Sequence, residues 1–124
     1  MKRFISVFTL CFLALSLNMA RASDQGFITQ KFEELTKYSE LAYKGFVEKN
    51  KSKGCFAEGM IYATVKLLTD EYFGDMANDQ ASKTIVVQQS MTQLGRFCTG
   101  TDHSFENATK IALQIKNLLR QSAN

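Results

Sequence analysis

Three cysteines and one histidine are all that this 124-residue sequence offers to thiol, imidazole or soft-metal chemistry. Cys11 falls inside an apolar N-terminal run and reads as filler there. That leaves Cys55 and Cys98, and two sulfurs bonded to each other leave no cluster of zinc or copper ligands. His103 sits beside Asp102 at a helix start, the place of an exposed cap residue rather than of a catalytic base. The acid pairs Glu33-Glu34 and Asp70-Glu71 are adjacent in sequence. On a helix such side chains diverge by about 100°, so they read as solvated faces and not as two carboxylates sharing a cleft. No serine nucleophile elbow, phosphate loop or Cys-His dyad has a match. The inventory predicts no enzyme, no bound metal and no cofactor.

The elements that would position these residues begin with a leader. Met1-Lys2-Arg3 precedes an apolar run of 14 residues, Phe4 to Leu17, and Ala20-Arg21-Ala22 follows as a small-x-small cleavage pattern. This is the order of a secretory signal peptide, expected over residues 1–22, with a single domain over 23–124. The run falls short of the roughly 20 residues needed to cross a hydrocarbon core, so no stable membrane anchor is expected. Lys2, Arg3 and Arg21 would leave with the leader, and the 15 basic residues fall to 12 against 12 acidic ones. Nucleic-acid binding needs a surplus of Lys and Arg on one face, and no such partner is expected. A periplasmic or secreted location is oxidising, which predicts a Cys55–Cys98 disulfide. Asn50-Lys51-Ser52 and Asn107-Ala108-Thr109 fit the glycosylation acceptor pattern, which matters only in a eukaryotic secretory pathway.

Absence of proline and apolar residues at helical spacing predict an all-α bundle of about four helices. The first is expected from about Phe27 to Asn50, with Ile28, Phe32, Leu35, Ala42 and Phe46 inward and Gly54 as its stop. The second spans about Cys55 to Phe73 and carries two apolar stripes, Phe56-Met60-Ala63-Leu67 and Ile61-Val65-Leu68-Tyr72, which reads as a central helix. The third runs from Asp75 or Asn78 to Cys98, with Thr84, Val87, Met91 and Leu94 in register, closed by Thr99-Gly100. The fourth, capped by Thr101 or Asp102, reaches about Gln121 with Phe105, Ala108, Ile111, Ala112, Ile115 and Leu118 inward. Cys55 and Cys98 then meet at one end of an antiparallel hairpin. Gly59 and Gly95, about one turn inside each cysteine, are expected to let the two backbones approach closely.

Aromatic residues are the remaining signal: of ten Phe, Phe4, Phe8 and Phe12 fall in the leader, leaving seven Phe and four Tyr in the domain. Tyr38, Leu41 and Tyr43 lie off the main apolar face of the first helix and form a candidate partner surface or homodimer interface.

Gly54-Cys55-Phe56 leading into Gly59-Met60-Ile61-Tyr62, then Phe97-Cys98 and Ser104-Phe105-Glu106-Asn107-Ala108, resembles small periplasmic helical proteins of Gram-negative bacteria. The resemblance covers roughly residues 54–120. The group includes immunity proteins of type VI secretion systems and, more distantly, acid-stress chaperones of the periplasm. The immunity resemblance implies binding and blocking a toxin enzyme, with no catalysis by this chain and no toxin-contacting residue to carry over. The chaperone alternative implies opening of the helices once 12 carboxylates protonate in acid.

Overall fold

The computed structural model describes residues 2–121, with side chains described over 24–121. The expected leader and its cleavage site lie outside the residues with described side chains. Four α-helices follow in order: α1 (Lys2–Val47), α2 (Lys51–Leu67), α3 (Asn78–Cys98) and α4 (Phe105–Arg120). A π-turn over Leu68–Tyr72 and a short 3-10 turn over Phe73–Asp75 prolong α2. The described residues contain no strand, and Ile85-Val86-Val87 is helical within α3.

Helix ends follow local chemistry. At the end of α1, Lys49 takes a left-handed φ of 57°. The Asn50 amide donates back to the Gly45 carbonyl at 2.8 Å and the Lys49 amide to that of Phe46 at 3.1 Å. This crossed pair satisfies carbonyls the helix would otherwise leave open. Asn50 then caps α2, its side chain accepting from the Lys53 amide. Gly54 is therefore not the stop expected of it. It lies buried in the first turn of α2, where a Cβ would overlap the Phe46 ring.

Thr99-Gly100 does close α3, with Gly100 at φ 89° and the same crossed pair, from the Thr101 amide to Arg96 and the Gly100 amide to Phe97. That motif also takes the Asp102 amide, which donates to Arg96, so neither Thr101 nor Asp102 caps α4. Ser104 does, accepting from the Asn107 amide at 3.1 Å.

α1 packs against α2 and α4, and α3 packs against the same two, so α1 and α3 lie on a diagonal of the bundle. Ile28, Leu35, Ala42 and Phe46 from α1 meet Ile61, Val65 and Leu68, then Val87, Met91, Leu94 and Phe97, then Ala108, Ala112 and Ile115. The buried hydroxyls of Ser39, Thr64 and Thr84 each donate to a carbonyl one turn back, as burial of a polar group requires. At the bridged end, Phe97 stacks edge-on with Phe46 and Phe105, at 5.4 and 4.9 Å between ring centres.

The expectation of a central second helix is corrected. Only its Ile61-Val65-Leu68 stripe is buried, while Phe56 and Ala63 face outward and Met60 and Leu67 are half-buried. An apolar arc wider than the core needs leaves one flank in water.

Candidate functional site

Cys55 on α2 and Cys98 at the end of α3 form the expected disulfide, with their Cα atoms 5.6 Å apart. The bridge joins α2 to α3. Away from it an open cleft of about 310 Å³ lies between the two helices, lined by Tyr62, Val65, Lys66, Thr69 and Asp70 from one side and Gln88, Met91 and Thr92 from the other.

Helical spacing explains this lining. Residues 62, 65 and 69 recur every three to four positions and share one flank of α2, and residues 88, 91 and 92 do the same on α3. Val65 and Met91 are buried and make an apolar floor, whereas Tyr62, Lys66, Asp70, Gln88 and Thr92 are exposed along the rim. The π-turn begins at Leu68, beneath the cleft. Its wider winding shifts the following side chains, and Thr69 is left with a buried hydroxyl that has no hydrogen-bond partner among the described residues. Glu58 sits one turn above Tyr62, and burial pushes its carboxyl above the usual range.

The cleft offers an aromatic ring, one cation, one anion and amide and hydroxyl groups over an apolar floor. That set suits recognition of another surface. Among the described residues no three His, Cys, Asp or Glu side chains gather as metal ligands. His103 is exposed in the segment between α3 and α4, where the Asp102 carboxylate accepts from the Ser104 amide. Glu34 pairs with Lys31, and Asp70 and Glu71 are exposed.

The close approach expected at Gly59 and Gly95 is corrected. A Cβ on Gly59 would meet nothing within 4 Å, and one on Gly95 would meet only the Glu58 carboxylate at 3.9 Å. The backbones that do touch belong to α1 and α2: a Cβ on Gly45 would come 2.5 Å from the Gly54 amide nitrogen and 2.8 Å from its Cα. A disulfide holds two Cα atoms farther apart than a glycine contact does, so a bridged helix pair has no need of glycine.

Tyr38, Leu41 and Tyr43 are not an open patch, because all three are half-buried and packed against the core. The Lys116 ammonium lies 4.6 Å above the Tyr43 ring. The apolar groups that reach water are Phe56, 63% exposed, and Tyr62, 56% exposed, with Val47, Ile85, Val86 and Phe73 less so. Phe56 is exposed although the stripe it opens has helical spacing. Its phase against Gly54, Ala57, Ile61, Thr64 and Val65 separates it, since those five mark the buried edge of α2.

Compared with protein-family models, curated proteins and solved structures, the chain matches none. Among the residues with described side chains, no helix is long and apolar enough to cross a membrane.

Proposed function

We propose that this chain is an exported binding protein that blocks another exported protein, as an immunity or inhibitor protein blocks a toxin enzyme, with no catalysis of its own. The observation that carries the reading is the α2–α3 cleft, whose mixed lining stands beside the exposed Tyr62 ring and is braced at one end by the disulfide. A tyrosine at the edge of a rigid groove is the kind of residue that dominates binding energy, because it buries much area at little entropic cost. Export rests on the leader pattern of residues 1–22. The disulfide agrees with an oxidising compartment.

Affinity capture with the exported protein at pH 7 tests this. One stoichiometric exported partner is expected, and Tyr62→Ala should weaken its retention roughly 30-fold, the scale of a 2 kcal/mol hot spot.

The acid-chaperone reading has its own support in the ion pair by which Arg120 on α4 holds Glu40 on α1, with Nε 3.0 Å from the carboxylate. Many clients held only near pH 2–3 would favour the chaperone, and turnover of a cell-wall or phospholipid substrate by the purified protein would overturn both.

A further inference from the structure

We infer that the outer flank of α2 pairs with the same flank of a second copy of this chain, antiparallel and about a twofold axis. The seam adjoins the α2–α3 cleft and shares Asp70 with its rim, but its apolar layers Phe56, Met60, Ala63 and Leu67 lie outside the cleft lining. Lys53, Phe56, Met60, Ala63 and Leu67 follow one another along α2 at spacings of three and four residues, the repeat of a coiled-coil seam, and Asp70 follows three residues on in the π-turn that prolongs it. None of their side chains is fully covered by the chain itself: Phe56, Ala63 and Asp70 are exposed, and Lys53, Met60 and Leu67 are half-buried.

Two such seams run antiparallel with Met60 against Ala63 of the second copy match at every layer. Phe56 then meets Leu67, and Lys53 meets Asp70, each pair occurring twice because a twofold contact is self-complementary. Charge fixes the direction. Lys49, Lys51 and Lys53 outnumber Glu48 around the start of α2, while Asp70, Glu71 and Asp75 outnumber Lys66 around its end. A parallel arrangement sets like charges together, and an antiparallel one sets opposite charges together. Within the chain Lys53 already pairs with Glu48 at 3.2 Å, whereas Asp70 has no ion pair among the described residues.

Gly59 gains a reason in this arrangement. A glycine in a helix interior is destabilising, and nothing within the chain requires it, since its Cβ position is open. Beside the seam and one turn from Ala63, it allows a second helix to come close. The seam is about 26 Å long at 1.5 Å per residue, which places the contact at the small end of stable interfaces. Association should therefore depend on concentration.

Sedimentation equilibrium of the exported protein across a dilution series is the test. A monomer–dimer equilibrium that weakens with added salt is expected. Lys53→Glu or Asp70→Lys alone should weaken dimerisation about tenfold or more by setting like charges face to face, and the double exchange should restore it. Ala63→Glu should abolish it with the helical content and the melting temperature of the monomer at high dilution unchanged, because that side chain is exposed. A monomer at every concentration would overturn the inference, as would single and double charge variants that behave alike. Retention of the cleft-bound partner at parental strength in Tyr62→Ala with the dimer intact would strike the proposed function alone.

Discussion

Gly45 is the position where the smallest change should cost most. Adding a methyl group drives it into the backbone of α2 rather than into a movable side chain, so Gly45→Ala should lose about 1–3 kcal/mol, read as a lower melting temperature. Gly59→Ala meets open space in a helix interior and should gain about 0.5–1 kcal/mol. Equal effects at the two sites would refute the assignment of the close approach to α1 and α2. Glu58 sets a pH dependence of its own. Burial raises its carboxyl above the unfolded value, so its contribution to stability is fully present below the unfolded pKa and is lost as pH rises through the folded one. Glu58→Gln keeps the neutral form at all pH. It should raise the melting temperature at pH 7, and the gain should disappear below about pH 4.

At the scale of elements, two residues hold the helix starts. Asn50 closes α1 with its amide and opens α2 with its side chain, and Ser104 opens α4. Asn50→Ala and Ser104→Ala should each cost about 1 kcal/mol in denaturant melts. Thr101→Ala, at a position that does not cap, should stay within about 0.5 kcal/mol of the parent. A larger loss at Thr101 than at Ser104 would contradict the assigned cap. Element type and order were legible because apolar residues recur at helical spacing through a chain without proline. The start of α2 was not. Gly54 has the composition of a stop, yet the turn is made by Lys49 in a left-handed conformation, a state the residue type does not advertise.

For the whole molecule, the Cys55–Cys98 bridge closes a loop of about 44 residues, and reduction should cost roughly 4 kcal/mol in the chain-entropy model. A thermal melt with and without reductant reads this directly. Mass spectrometry of the protein isolated from the cells that make it should find a chain beginning at Ser23 and lighter than its reduced form by two hydrogens. Retention of residues 1–22 would remove the argument for export, while alkylation of both thiols in native protein would remove the bridge.

Helical class, the disulfide pair and most of the core stripe were determined by the sequence alone, since periodicity and cysteine count are properties of the chain in one dimension. Ile28, Leu35, Val87, Met91, Leu94 and Ile115 all face inward as their spacing requires. Which of two apolar stripes on α2 turns inward was decided only by tertiary structure. Both stripes have helical spacing, and the choice depends on where α1 and α3 lie around that helix. The same holds for Tyr38, Leu41 and Tyr43, which are covered because neighbouring helices reach them, and for Phe56, which is exposed because none does. Spacing fixes the angle between two side chains on one helix. The direction of that angle in space is set by the helices packed beside it.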